Sequence, residues 1–188
     1  MRVVGGSAKG RRLKSPPKGV RPTSDLVRGA IFDALEAHGA DFSRVLDLYA
    51  GSGALGIEAM SRGGGRCDFV ERGAATVALI KENLQLTGLE GDGHAHKIDV
   101  ERAPERLEGS YTLVLADPPY EDETAIGAIE RVAGSPLVTE ATTLVLEHSS
   151  RSGAPERIGA LERVWSRRYG DTEVSIYRRG SERGEAET

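Results

Sequence analysis

The chain has 188 residues, 38% of them hydrophobic, which is enough for one domain with a substantial core, and its formal net charge is −4. No apolar run reaches membrane-spanning length, and the basic N-terminus lacks the apolar stretch of a secretory signal. A single cysteine, Cys67, excludes an internal disulfide framework and fits a reducing cytoplasm, while His38, His94, His96 and His148 show no metal-ligand spacing.

The charge is unevenly spread. Residues 1–30 hold eight Lys/Arg (Arg2, Lys9, Arg11, Arg12, Lys14, Lys18, Arg21, Arg28) against one acid, Asp25, for a local charge of +7. The rest of the chain has 17 basic and 28 acidic side chains, or −11. An acidic body with a basic arm points to a polyanion met through the arm; a solvated basic tail gives the same pattern. Gly5-Gly6, Gly10 and Pro16-Pro17 break this segment, which reads as a short hairpin (Arg2–Val4 against Arg11–Leu13) or an extended arm. Thr23 or Ser24 then caps a helix over Ser24–Ala37, with Val27, Ile31, Phe32 and Leu35 at helical spacing.

From Arg44 short apolar runs alternate with helical stretches. The pattern predicts strands at Val45–Leu48, Cys67–Val70, His94–Ile98, Leu113–Ala116 and Leu144–Glu147. It predicts helices at Ala54–Arg62, Ala74–Thr87 and Thr124–Ala133, with a weaker one at Ala103–Leu107. Such alternation means βαβ units and a mostly parallel sheet. Leu161–Tyr169 and Thr172–Arg178 flank Gly170-Asp171 and read as an antiparallel hairpin, with Trp165, Tyr169 and Tyr177 as core aromatics. Cys67, inside an apolar strand, reads as a buried structural thiol. Residues 1–38 read as a basic arm and helix, 39–179 as the main domain, and 180–188 as a polar tail expected to be disordered.

Two stretches carry chemistry. Asp47-Leu48-Tyr49-Ala50-Gly51-Ser52-Gly53 is a strand end, a glycine turn and a helix start, where backbone can approach a ligand closely. The G-x-G-x-x-G match Gly51–Gly56 suggests a dinucleotide site, but Asp47 just before the loop would oppose pyrophosphate and suits an ammonium group. Glu71 ends the second strand, where a ribose diol is held, and Asp99 after the third strand is placed to accept from an adenine amine. The second stretch, Asp117-Pro118-Pro119-Tyr120, stops the fourth strand abruptly. It offers one carboxylate, backbone carbonyls and a flat ring, suited to a planar group bearing an NH2; a rigid turn with Asp117 capping the next helix is the plainer alternative.

Ammonium, ribose and adenine together describe S-adenosylmethionine. Asp47–Gly53 resembles motif I, and Asp117–Tyr120 the amino-methylating motif IV, of class I S-adenosylmethionine-dependent methyltransferases. That resemblance implies a Rossmann-like α/β fold, a mostly parallel seven-stranded sheet with helices on both faces and the antiparallel C-terminal hairpin. Val3-Val4-Gly5-Gly6, Gly10-Arg11-Arg12-Leu13, Arg21-Pro22-Thr23, Asp25, Val27-Arg28, Leu48–Gly56, Ala59–Gly63 and Asp117–Tyr120 further resemble the bacterial 16S rRNA guanine-N2 methyltransferases. That family acts on the small-subunit guanine usually numbered 966. Leu26 and Gly29 stand where the family usually has Arg and Glu, and Asp33 where Asn is common.

The resemblance implies catalysis by Asp117, Pro118, Pro119 and Tyr120, and cofactor contacts from Asp47, Tyr49, Ala50, Gly51, Ser52, Gly53, Glu71, Arg72, Asp99, Val100 and Asp117. It implies RNA contacts from Lys9, Arg11, Arg12, Arg21, Thr23 and Arg28 and a small-subunit or assembly-intermediate substrate; the chemistry needs no metal, nothing in the sequence demands more than a monomer, and the expected compartment is the cytoplasm. A DNA adenine-N6 or cytosine-N4 methyltransferase shares both motifs, but no segment is long enough for a target-recognition domain. A glutamine methyltransferase would want Asn in place of Asp117. A non-enzymatic RNA-binding module leaves the acids at three strand ends unexplained.

Overall fold

In the computed structural model, residues 1–15 and 24–180 are described. Ser24 begins the first helix, α1 (Asp25–Ala37), its hydroxyl accepting from Val27 N at 3.2 Å. The expected alternation follows: β1 (Arg44–Leu48), α2 (Ala54–Gly63), β2 (Arg66–Glu71), α3 (Ala74–Thr87) and β3 (Gly93–Lys97). A 3-10 turn (Val100–Arg102) runs into the one-turn α4 (Ala103–Arg106), then β4 (Tyr111–Ala116) and α5 (Ala125–Ala133). The chain closes with β5 (Val138–Ser149), β6 (Arg157–Ile158), β7 (Leu161–Tyr169) and β8 (Thr172–Arg179). The expected tail at 180–188 falls outside the described residues except for Gly180.

These strands form one sheet in the order β3-β2-β1-β4-β5-β8-β7-β6. The first five are parallel and the last three antiparallel. The sheet has eight strands instead of seven because Arg157 and Ile158 pair with Glu162 and Leu161 at its edge. Two residues are too few to leave a period in the sequence. β5 also begins six residues earlier than expected. Its polar lead-in Val138–Ala141 joins β4 through a register shift, sealed where the Thr142 hydroxyl donates to Tyr111 O at 2.7 Å.

Side chains alternate between two cores, as a strand period of two requires. Val45, Leu113, Leu115, Val145 and Ile176 face α1, α2 and α3, together with Phe32, Ile57 and Ile80. Leu46, Leu48, Val114, Leu144 and Tyr177 face α4 and α5, with Ile129 and Val132. Cys67 is fully buried, and burial pushes its thiol well above the ordinary value. It is a packing residue.

Residues 1–15 form the short hairpin and are seated on the domain, not held out as a free arm. Arg2 and Arg12 bridge as antiparallel neighbours, with Val3 N donating to Arg11 O at 3.0 Å. Val3, Ala8 and Leu13 are buried in the first core. Glu58 of α2, itself fully buried, accepts from Val4 N at 2.8 Å and Gly5 N at 2.7 Å. Gly6 has φ +75 and passes so close to α2 that a Cβ would lie 1.8 Å from Ser61 O, so only glycine fits. Asn83 of α3 completes the seat: its carbonyl accepts from Lys14 N at 2.8 Å and its amide donates to Lys14 O at 3.0 Å.

Candidate active site

Parallel register brings three strand ends level. Leu48 pairs with Val70 on one side and Ala116 on the other, so Tyr49, Glu71 and Asp117 follow in a row across adjacent strands. Carboxyl ends of neighbouring parallel strands are where α/β sheets bind ligands.

The chain turns sharply after Leu48. Ala50 N donates to Val70 O at 3.1 Å and Gly53 N to Ala50 O at 2.7 Å. Gly51 (φ +54) and Gly53 (φ +78) adopt the left-handed conformation this requires, and so does Tyr49 (φ +56), which has no such freedom. A non-glycine residue held there stores strain of about 1–3 kcal/mol, a cost found mainly at functional sites. Ser52 is buried and its carbonyl accepts from Asn83 Nδ2 at 2.8 Å. The same Asn83 side chain therefore holds both the N-terminal segment and the glycine loop.

The acids around the loop are unequal. Asp47 is buried, with Oδ2 accepting from Gly56 N at 2.9 Å. Burial raises its carboxyl well above the usual range; that hydrogen bond opposes the shift, while the Asp117 and Glu71 charges add to it. Glu71 spans the loop, accepting from Gly51 N at 3.2 Å and Gly73 N at 2.8 Å. Burial pushes the Tyr49 phenol up to about 12, with Asp122 and Glu101 adding to the effect and Arg72 opposing it. A buried carboxylate crowded by two others fits a cationic ligand, whose charge would offset both the burial and the repulsion that raise it. Arg72 and Asp99 lie exposed beyond the ends of β2 and β3, and Val100 is buried.

On the fourth strand, Asp117 is half-buried and Pro118 buried, while Pro119 and Tyr120 are exposed. Asp117 does not cap the next helix. That N-cap is Thr124, whose N and hydroxyl donate to Asp122 Oδ1 at 3.0 and 2.6 Å. Tyr120 remains 46% exposed, and its hydroxyl lies 2.6 Å from Thr172 Oγ1 at the start of β8. The ring thus stands in contact with solvent at one strand end, pinned by its hydroxyl. The cavity lined by Glu101, Glu123, Thr124, Ala128 and Arg131 flanks α5 and contains none of the candidate residues.

The expected RNA contacts separate. Arg21 and Thr23 lie outside the described residues. Lys9, Arg11 and Arg12 are exposed. Arg11 donates to Leu86 O at 3.2 Å, in the last turn of α3, which places it at the sheet end opposite the carboxyl ends. Arg28 is a correction: it is fully buried, pairs with Asp25 Oδ1 at 2.7 Å, donates to Arg2 O and lies 3.6 Å from Glu58 Oε2. It holds the N-terminal segment and cannot reach RNA from there. The basic run and the resemblance assigned Arg28 to RNA, whereas the buried acid beside it is 30 residues later. The departures from the family pattern fit this packing. Leu26 is exposed, Asp33 accepts from Arg62 Nη1 at 3.0 Å, and a Cβ on Gly29 would meet Val4 at 3.4 Å.

Sequence reasoning missed Glu58, Arg62 and Asn83, which seat the N-terminal segment. The available signal was a charged pair four apart in α2, with Glu58 inside an otherwise small and apolar run.

The family described as Conserved hypothetical protein 95 matches residues 1–178. "Putative rRNA methyltransferase YlbH" of Bacillus subtilis is 36% identical over 183 residues, spanning 95% of this chain and 99% of that one. "Ribosomal RNA small subunit methyltransferase D" of Escherichia coli is 28% identical over 156 residues, spanning 82% and 78%. The solved "Putative methyltransferase yhhF" of Escherichia coli superposes with a TM-score of 0.81 at 27% identity, covering 95% of this chain and 97% of that one. With the α/β methyltransferase fold in place and the match running through nearly all of its length, the chain belongs to the Conserved hypothetical protein 95 family.

Proposed function

We propose that this chain transfers a methyl group from S-adenosylmethionine to the exocyclic N2 amine of a guanine in 16S rRNA, as a monomer in the cytoplasm. The observation that carries the reading is the row of strand ends at which Asp117 of the Asp-Pro-Pro-Tyr loop meets the glycine loop, Asp47 and Glu71. Relatives named as rRNA methyltransferases support the substrate class. Among the described residues, no helix is long and apolar enough to cross a membrane.

The residues present suit the cofactor. Asp47 and the turn Tyr49–Gly53 would hold its cationic amino-acid end, Glu71 its ribose, and Asp99 and Val100 its base. When bound, S-adenosylmethionine supplies a methyl on a sulfonium, already a strong electrophile. The protein's task lies with the amine, whose lone pair is delocalised into the guanine ring. The Asp117 carboxylate and the Pro118 carbonyl accept its two N–H bonds, favouring the pyramidal nitrogen that exists only in the transition state. Tyr120 stacks on the base, which must leave its RNA stack to enter. Holding amine and methyl in line supplies much of the remaining acceleration.

The test is transfer of labelled methyl to small ribosomal subunits lacking guanine-N2 methylation, followed by nucleoside analysis. N2-methylguanosine in 16S rRNA is the expected product. Asp117→Ala abolishes transfer and leaves cofactor binding largely intact; equal loss of both refutes this division of labour.

A further inference from the structure

Among the described N-terminal basic residues, Arg28 is buried and Arg11 lies at the far end of α3. The C-terminal hairpin brings positive charge to the Tyr120 side. Because β5 is parallel to β4, its end at Ser149 lies on the active-site side, where it pairs with Thr172. The turn between β7 and β8 therefore stands over that rim. Ser150 N donates to Asp171 O at 2.9 Å, and Tyr120 reaches the same hairpin through Thr172.

Three arginines gather there. Arg151 follows the end of β5, and Arg167 and Arg168 close β7; all three are exposed. The Arg167 guanidinium lies over the Tyr169 ring at 5.5 Å, and Arg168 Nε donates to Gly170 O at 2.8 Å, so each guanidinium has one contact that orients it at the turn. Asp171, 3.9 Å from Arg151, is the acid of the turn. After Tyr120 the loop continues as Glu121, Asp122 and Glu123, with Glu121 and Glu123 exposed. The hairpin side carries three arginines with Asp171 and Glu173, whereas the loop after Tyr120 carries acids alone. A phosphate backbone is drawn to the first and repelled by the second.

We propose that Arg151, Arg167 and Arg168 form a phosphate-binding rim that holds the RNA strand next to the target nucleotide on the hairpin side of Tyr120. This rests on the rRNA-methyltransferase reading above. Planar guanidiniums set on a β-hairpin suit phosphate oxygens, and such contacts position the strand without reading its sequence.

The experiment measures binding of 16S rRNA to the full chain across a range of potassium chloride concentrations. The combined Arg151→Gln, Arg167→Gln and Arg168→Gln variant should lose about two units of the log–log salt slope, since each phosphate contact contributes roughly 0.7–0.9. Cofactor affinity and the N2-methylguanosine product should stay unchanged. The corresponding lysine variant should keep the wild-type slope, and Glu121→Gln with Glu123→Gln should not reduce it. An unchanged slope in the glutamine variant, or a lysine variant that falls with it, overturns the rim while the wild type's transfer to 16S rRNA still stands. Absence of transfer by the wild type overturns the underlying reading and the rim together.

Discussion

The replacement Glu58→Ala tests how the N-terminal segment is seated. It removes the acceptor for Val4 N at 2.8 Å and Gly5 N at 2.7 Å, and one partner each from Arg28 and Arg62. The guanidiniums are not abandoned: Arg28 keeps Asp25 at 2.7 Å, and Arg62 keeps Asp33 at 3.0 Å and Glu36 at 3.1 Å. The cost therefore comes mainly from two backbone N–H groups losing a charged acceptor, plus a weakened buried pair, or roughly 3–5 kcal/mol. Against a typical stability of about 5–15 kcal/mol that is a large share. At about 2–4 °C per kcal/mol for a chain of this size, Tm should fall by roughly 6–20 °C. Thermal unfolding followed by circular dichroism gives the shift, and hydrogen exchange shows whether the Val4 and Gly5 amides lose protection first. A fall of less than about 2 °C with those amides still protected would refute the reasoning.

Other residues yield further predictions. Gly51→Val places a β-branched side chain at φ +54 in the cofactor loop and should weaken S-adenosylmethionine binding by about tenfold or more, read by calorimetry. Unchanged affinity would remove Gly51 from the binding loop. Thr172→Val removes the hydroxyl 2.6 Å from Tyr120 and should lower kcat/KM for RNA by about two- to tenfold at constant cofactor affinity. Equal loss of cofactor affinity would contradict the placement of Tyr120 on the RNA side. Asp47 has a raised folded pKa against 3.8 for the ordinary group, so the folded chain holds its proton to higher pH than the unfolded one. Its contribution is full below the unfolded value and is lost as pH rises through the folded one. Asp47→Asn should flatten that loss in denaturant titrations across pH and weaken binding of the cationic cofactor; parallel pH curves for variant and wild type would refute the assignment.

The sequence made the strand–helix alternation and both loops legible because each rests on neighbours in the chain. Gly51 and Gly53 announce a tight turn, and Pro118-Pro119 a strand that must stop. Positions needing a distant partner were not legible. Arg28 was assigned to RNA with its neighbour in space, Glu58, out of view, and the sequence left hairpin and extended arm both open until the Arg2–Arg12 bridge and the Asn83–Lys14 pair decided for the seated hairpin. β6 is too short to carry a period, and the polar start of β5 is exposed and shows no apolar alternation. Asp117 illustrates the boundary: spacing left helix capping open, and only Thr124 taking that role with Asp122 closed it.

The seat of the N-terminal segment also sets an order of assembly. Val4 finds its acceptor 54 residues later in the chain, and Lys14 finds Asn83 69 residues later. During synthesis this segment emerges long before α2 and α3 exist to receive it, and it must wait as loose chain with Val3, Ala8 and Leu13 uncovered. Closing loops of that length carries an entropic cost that local helices do not meet. Residues 1–15 therefore cannot join the domain before α3 exists, and the glycine loop waits for the same Asn83 side chain.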